Sequence, residues 1–146
     1  TGGAVKNAIP LFSNKHILVV NSDIYWQNHN LADVNSLIDS YNINFDNYIL
    51  LSSKKNSFGI HKSDGDFVIR NSLINRFKEG DEILFYSGLQ IINIKSFNSL
   101  KENKFSFNIV WDNLIQKEKL FGLLMHSKWY HVGDIHGLKI VKKLHT

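Results

Sequence analysis

One carboxylate lies shortly after a strand-like run, at a position where the end of a sheet could bring it into contact with a ligand. The β-branched run His16–Val20 reads as a buried strand, and the polar residues Asn21 and Ser22 end it just before Asp23. Open α/β sheets bind their ligands outside the carboxyl ends of their strands. Mg²⁺ prefers oxygen ligands such as carboxylates and substrate phosphates. Asp23 is therefore a candidate Mg²⁺ ligand, although an Asp at this position is more often one that caps the following turn.

Three glycine positions could bring the backbone close to a ligand. They are the pair Gly2 and Gly3, Gly65 between two aspartates, and Gly88 after Ser87. Glycine adopts positive φ and lets another group approach the main chain closely. The same residues are also expected at a chain terminus, in a turn and in a strand bulge, so the types alone leave both interpretations open.

The sequence does not support several other kinds of catalytic or metal site. The chain has no Cys, which excludes disulfides, thiolate metal sites and a cysteine nucleophile. His126, His131 and His136 lie five residues apart, a spacing that does not bring them onto one helical face, and zinc needs three or four converging ligands. The sequence contains no G-x-S-x-G elbow, no P-loop and no complete G-x-G-x-x-G. Trp26 and the other tryptophans are expected in the core or in a pocket wall.

The elements that must position these residues begin with a strand, a helix and a second strand. Apolar residues recur at helical spacing from Leu31 to Tyr41, and Tyr48–Leu51 reads as another buried strand. This order predicts a βαβ unit with parallel strands and a right-handed crossover.

The remaining two-thirds of the chain adds more strands and two further helices. Strands are predicted around 67–70, 73–77, 83–92 with a bulge at Gly88, and 120–125, and helical spacing returns at 109–114 and 138–144. We find no repeat, no linker and no low-complexity segment. The sequence predicts a single α/β domain over residues 1–146, with a mixed, mostly parallel sheet flanked by helices.

The composition argues against two classes of partner, nucleic acids and membranes. The formal net charge is +4, but the 17 basic residues are scattered rather than clustered, so we expect no nucleic-acid partner. No apolar run approaches the roughly 20 residues of a membrane span, so we expect no membrane partner either. The absence of Cys fits a cytoplasmic location.

Five segments, taken in order, resemble the sugar-phosphate nucleotidyltransferases. The run 17–24 (ILVVNSDI) resembles the family's strand followed by "NGD", and 129–133 (WYHVG) followed by Leu138 resembles its late W-x-D/H-V/T-G signature. Segments 65–67, 86–91 and 105–112 lie between them in the family's order, and 1–4 (TGGA) resembles part of an "E-T-G-G-G" loop. The resemblance covers nearly the whole chain and is strongest to bacterial members that act on N-acetylmuramate 1-phosphate or mannose 1-phosphate.

The resemblance implies a Rossmann-like sheet and an Mg²⁺-dependent transfer of a nucleotidyl group from UTP or GTP to a sugar 1-phosphate, with release of pyrophosphate. Asp23 would be the catalytic Mg²⁺ ligand. His131 stands where many relatives carry a second metal-binding Asp, and imidazole is a poorer Mg²⁺ ligand than carboxylate. The other implied contacts are to the nucleotide (Gly2, Gly3, Asn21 and Ser22) and to the sugar phosphate (Gly65, Gly88, Asn108 and Trp26).

The resemblance also implies that part of the family's machinery is missing. Family members begin with a βα unit whose Gly-rich loop, Arg and Lys hold the triphosphate, and no such loop occurs in this sequence. We therefore expect a fold that is incomplete at the N-terminus and a chain that is inactive alone. Two explanations stay open: a separately encoded N-terminal half completes the enzyme, or the chain is a non-catalytic remnant that binds a sugar phosphate or a partner protein.

Overall fold

The computed structural model describes residues 2–42 and 44–144, so Thr1 of the TGGA segment lies outside the described residues. The helices are α1 (Gly2–Ala8), α2 (Leu31–Asp39), α3 (Asn108–Gln116) and α4 (Ile135–Lys142). The strands are β1 (His16–Val20), β2 (Ile24–Tyr25), β3 (Asn47–Ser53), β4 (Ser57–Phe58), β5 (Phe67–Arg70), β6 (Leu73–Arg76), β7 (Leu84–Asn93), β8 (Leu120–Leu124) and β9 (Trp129–His131). None of these helices has the length and apolar character that a membrane span requires.

A six-stranded sheet forms the centre of the molecule, in the order β1-β7-β3-β8-β6-β5. Its two longest strands, β7 and β3, lie inside the sheet, and every residue of β3 is buried. A strand that is buried on both faces must be apolar on both, which explains why Tyr48–Leu51 is a continuous apolar run. A second sheet of three short strands, β2-β9-β4, lies beside the first.

The mixed α/β class is confirmed, but the expected dominance of parallel pairing is not found. In the large sheet only β3 and β8 pair in parallel, whereas β7 pairs antiparallel with β1, β3 and β5, and β6 pairs antiparallel with β5 and β8. Since β1 and β3 are both antiparallel to β7, they run in the same direction, as the βαβ pattern predicts. They are not neighbours, however, because the later strand β7 lies between them.

Helices cover both faces of the large sheet. On one face α3 contributes Val110, Trp111 and Leu114 to a core that also contacts Val5 of α1. On the other face Leu37 of α2 is fully buried in a second core with Tyr48, Leu50, Phe85 and Trp129. The sheet with a core on each side is the layered arrangement typical of α/β domains.

The N-terminal glycines lie in a helix rather than in the loop that the TGGA segment suggested. Both are buried, and a Cβ on Gly2 would lie 2.6 Å from the Phe105 ring, while a Cβ on Gly3 would overlap the carbonyl oxygen of Asn103. Lys6 of the same helix donates to the carbonyl oxygens of Leu100 (2.7 Å) and Glu102 (2.8 Å). Close packing of α1 against residues 100–107 is thus a structural reason for both glycines.

Candidate functional site

A cleft of about 510 Å³ opens where β1 ends, between the small sheet and the N-terminus of α3. Its walls come from residues that are far apart in sequence. The polar and titratable residues that line it are Asn21, Asp23, His61, Lys62, Asp66, Tyr86, Gln90, Ser106, Asn108, His131 and Asp134.

Asp23 and His131 face each other in this cleft because the small sheet joins their strands. β2 and β9 pair antiparallel with Ile24 opposite His131, and the N–H of Val132 donates to the Asp23 carbonyl at 2.8 Å. His131 Nε2 lies 3.5 Å from Asp23 Oδ2, and both side chains are partly exposed. His131 Nδ1 lies 3.3 Å from the Gly59 carbonyl oxygen, so this carbonyl can accept from an N–H at Nδ1 and leave Nε2 for the cleft.

Gly133 has no side chain, and this leaves room for the His131 ring. A Cβ at Gly133 would lie 2.6 Å from Cε1 and 2.8 Å from Nε2 of His131, and 3.4 Å from Asp23 Oδ2. Any side chain there would push the imidazole away from the carboxylate. The W-Y-H-V-G segment therefore has its glycine for a geometric reason at this site.

The Asp23 carboxylate has capacity for a cation. Its Oδ1 is buried and has no hydrogen-bond partner among the residues that the structure describes. A buried carboxylate oxygen without a donor is costly unless a ligand satisfies it. No group of three or more His, Asp or Glu side chains in the described ranges could hold a metal by itself. The donor set therefore fits a hard cation that takes most of its oxygen ligands from a substrate phosphate.

The wall opposite the small sheet combines aromatic rings with a buried amide. Trp111 Nε1 donates to Gln90 Oε1 at 3.1 Å, and the rings of Tyr86 and Trp111 meet edge to face with centroids 4.8 Å apart. The Tyr86 hydroxyl is buried, and within the described residues nothing forms a hydrogen bond with it. This burial raises the pKa of the Tyr86 phenol far above its usual value, so the phenol stays neutral.

The basic side chains at the rim lie beside carboxylates. Lys62 forms an ion pair with Asp66, whose Oδ2 also accepts the Tyr86 N–H at 3.1 Å. His61 Nε2 lies 3.4 Å from Asp134 Oδ2. Asp134 is the N-cap of α4, and the N–H that it accepts from Gly137 lowers the pKa of its carboxyl, with a smaller contribution from His61.

Four of the residues that the sequence predicted for the site do line one cleft: Asn21, Asp23, Asn108 and His131. Gly88 lies directly behind them, at φ +86° in the β7 bulge, where a Cβ would come within 3.0 Å of Asn21 Cβ. The bulge itself is confirmed by the break in the β3–β7 register between Ile49 and Leu51.

The other predicted site residues lie away from the lining. Ser22 is exposed in the turn after β1, and Gly2 and Gly3 pack against residues 103–107. Gly65 contacts Leu84 at the start of β7. Trp26 lines a separate cavity of about 380 Å³ on the α2 side of the sheet. The ligand roles of these residues stay predictions. Because Trp26 lies outside the cleft, a role in sugar-phosphate binding would require the ligand to extend beyond the cleft.

Sequence reasoning did not assign Tyr86 or Gln90 to the site, and it expected Trp111 only in the core or in a pocket wall. Tyr86 and Gln90 flank the Ser87-Gly88 bulge that the sequence did indicate, and a bulge frequently re-aims side chains next to a site. Trp111 lies at helical spacing on α3 and is indistinguishable from a core residue in the sequence. Its indole N–H partner, Gln90, is 21 positions earlier in the chain.

Comparison with known proteins gives one curated relative and many similar folds, while no family model matches. The N-acetylmuramate alpha-1-phosphate uridylyltransferase of Caulobacter vibrioides is 29% identical over 137 residues, which cover 92% of this chain and 56% of that protein. The chain thus spans little more than half of this relative.

Among solved structures, a candidate glucose-1-phosphate thymidylyltransferase from Bacillus anthracis has a TM-score of 0.72 at 15% identity, covering 99% of this chain and 60% of its own. The inositol-1-phosphate CTP transferase from T. maritima has a TM-score of 0.70 at 13% identity, covering 97% and 60%. At these identities the structures show a shared fold. The curated match and this shared fold both agree with the resemblance to the sugar-phosphate nucleotidyltransferases that the five ordered segments carry.

Proposed function

We propose that this chain supplies the metal-binding and sugar-phosphate-binding part of an enzyme that transfers a nucleotidyl group from an NTP to a sugar 1-phosphate and releases pyrophosphate. The observation that carries the proposal is Asp23, with its unpartnered Oδ1, beside His131 in a cleft large enough for a sugar phosphate. The named activity of the curated relative makes UTP and N-acetylmuramate 1-phosphate the first substrates to test, with GTP and mannose 1-phosphate as the second pair.

The cleft residues have distinct roles in this proposal. Asp23 would hold Mg²⁺, which supplies charge neutralisation to the phosphates. His131 would stand beside this ion, and its Nε2 can donate to a phosphate oxygen when protonated. Trp111 and Tyr86 supply apolar ring surface against which a sugar packs, and Asn108 offers a polar group at the cleft edge. These groups bind and orient, which is most of what phosphoryl and nucleotidyl transfer requires of a protein.

We also propose that turnover needs the nucleotide-holding part of the family's machinery, because this sequence contains no Gly-rich loop with Arg and Lys to hold a triphosphate. The chain spans 56% of its curated relative, so that relative holds further segments that could supply this part. A separately encoded N-terminal half would be one such source. Sustained nucleotide-sugar synthesis by the 146-residue chain alone would contradict this part of the proposal and leave the role of Asp23 untouched.

Calorimetric titration of the 146-residue chain and its Asp23→Asn variant tests the central assignment. The titrants are Mg²⁺–UTP and Mg²⁺–GTP, each with and without the matching sugar 1-phosphate. Asp23→Asn keeps the side-chain size and removes the charge, so Mg²⁺-dependent binding should fall by about tenfold or more, the range expected when a charged contact is lost. Asp39→Asn, on the exposed end of α2, is the matched control and should bind like the unchanged chain.

The outcomes separate the two functional hypotheses. Saturable binding that Asp23→Asn weakens supports the enzyme half-site. Equal binding by both proteins would refute the metal assignment. A folded chain that binds sugar phosphate without any need for Mg²⁺ or NTP would favour the non-catalytic remnant.

A further inference from the structure

An arginine behind the cleft wall joins the β5–β6 hairpin to the first two turns of α3. Arg76, the last residue of β6, donates from Nε to Asp112 Oδ1 at 2.7 Å. Its second nitrogen, Nη2, donates to Asn108 Oδ1 at 3.1 Å and to the Asn108 carbonyl at 3.3 Å. The guanidinium carbon also lies 4.7 Å from the centre of the Phe67 ring and 5.9 Å from that of Trp111. The guanidinium is thus held on two sides by α3 and on its face by aromatic rings.

This arrangement decides which end of the Asn108 carboxamide faces the cleft. A guanidinium has only N–H donors, so the amide must present its oxygen to Arg76. The NH₂ group is then the free end, and Asn108 itself lines the cleft. Nowhere in the described residues does an acceptor form a hydrogen bond with this NH₂ group, although the side chain is exposed at the cleft edge. An unpaired donor at a binding cleft selects ligands that offer an oxygen acceptor.

We propose that Arg76 is a positioning residue, which fixes the Asn108 carboxamide so that its NH₂ group donates to an oxygen of the sugar phosphate. The inference rests on the proposed function for the identity of the ligand, and on the Arg76 contacts alone for the orientation of the amide. The ligand oxygen is a carbonyl or a phosphate oxygen, because these accept a hydrogen bond and, unlike a hydroxyl, do not donate one. Arg76 itself does not line the cleft.

The substitution Asn108→Asp separates this role from a structural one. The new carboxylate would keep an oxygen toward Arg76, gain an ion pair and place a negative charge at a helix N-terminus, all of which preserve or raise the melting temperature. It would also turn the donor in the cleft into an anionic acceptor that repels the ligand oxygen. We expect Asn108→Asp to bind N-acetylmuramate 1-phosphate about tenfold or more weakly, while its melting temperature stays equal or rises. Asn113→Asp, on the same helix but not in the cleft lining, is the matched control and should not change the affinity.

Two further measurements test the orientation, and the first of them needs no ligand. In an Arg76→Gln background, the Asn108→Asp change should lose the stability that it has beside Arg76, so the two substitutions should be coupled in a double-mutant cycle of melting temperatures. Arg76→Lys keeps the charge but not the two-sided geometry, and it should weaken sugar-phosphate binding with Asn108 intact.

If the unchanged chain binds sugar 1-phosphate and Asn108→Asp binds it equally well, the inference is wrong. Absence of coupling between Arg76 and Asn108 would overturn the orientation as well. If the unchanged chain binds no sugar 1-phosphate, the proposed function fails along with the ligand role, and the coupling result then tests the Arg76 contact on which the orientation of the amide rests.

Discussion

Replacing Gly137 by Ala tests how α4 is held against the strand that carries His131. Alanine is the best helix former, so in an isolated helix this change should stabilise by about 1 kcal/mol. In this protein the new Cβ would overlap the His131 carbonyl oxygen and lie 3.1 Å from the His131 carbonyl carbon and 3.2 Å from Val132 Cα. These are backbone atoms, so no side-chain rotation relieves the overlap.

The magnitude follows from the contacts that must move. Overpacking of this kind costs about 1–3 kcal/mol, and more where backbone has to shift. Moving the start of α4 also strains the hydrogen bond from the Gly137 N–H to Asp134, which is 2.7 Å long and worth about 1 kcal/mol as an N-cap. The steric and capping losses exceed the gain in helix propensity, and we expect a net destabilisation of about 2 kcal/mol. For a domain of this size that lowers the melting temperature by about 5 °C.

Urea unfolding and thermal melting of the variant measure this directly, and NMR of the His131 ring shows whether the site moves with the helix. Gly80→Ala is the control, because Gly80 has φ +92° and nothing within 4 Å of its would-be Cβ. It carries only the backbone cost of a non-glycine residue at positive φ, about 1 kcal/mol, and should leave the His131 signals unchanged. A Gly137→Ala protein as stable as the unchanged chain would refute the reasoning, since helix propensity would then outweigh the packing of α4 on β9.

Two further predictions concern polar side chains outside the cleft, one buried and one partly exposed. Asp33→Asn should lower the free energy of unfolding, measured in urea, by about 2–3 kcal/mol. The buried Asp33 carboxylate accepts hydrogen bonds from the N–H groups of His126 (2.8 Å) and Ser127 (3.2 Å) and from the Ser127 hydroxyl, and an amide would turn a donor toward these donors. A variant of equal stability would contradict the importance of these contacts. Burial lowers the pKa of His16 below its usual 6.5, with Asp46 opposing the shift, so the unfolded chain takes up a proton first as the pH falls below about 6.5. The folded state is therefore destabilised relative to the unfolded state as the pH falls from about 6.5 toward the lower folded-state pKa of His16. Between about pH 8 and pH 5.5 the melting temperature of His16→Gln should therefore fall less than that of the unchanged chain. Identical pH profiles of the two proteins would show that His16 is not responsible.

Most helices and strands could be predicted from local sequence patterns, whereas the order in which the strands pair could not. The predicted strand His16–Val20 has the same bounds as β1, and the predicted helix from Leu31 ends two residues earlier than expected, at Asp39. Periodicity reports whether a segment is a helix or a strand, but it carries no information on which strand lies beside it. The placement of β7 between β1 and β3 depends on pairing across about 30 to 80 positions, and it made the sheet less parallel than predicted.

The α1 helix shows a different limit. Two glycines at the start of a segment predict a loop by propensity, since glycine disfavours helix interiors by about 1 kcal/mol. Here the helix forms because only glycine lets it approach residues 103–107, and Lys6 then donates to the carbonyls of Leu100 and Glu102. Tertiary packing outweighs the local preference, and the partner segment is about 100 residues away.

The candidate site combines both situations. Asp23 could be predicted because a strand end and a carboxylate are local features, and the family resemblance added His131 and Asn108. Neither pattern could show that Asp23 and His131 meet, because their contact requires β2 to pair with β9 across more than 100 positions. The same holds for Arg76, which is an ordinary surface arginine in the sequence and reaches Asn108 only because β6 lies beside α3. The candidate ligand-binding groups are thus partly visible in the sequence, whereas the side chains that contact them depend on contacts that only the fold creates.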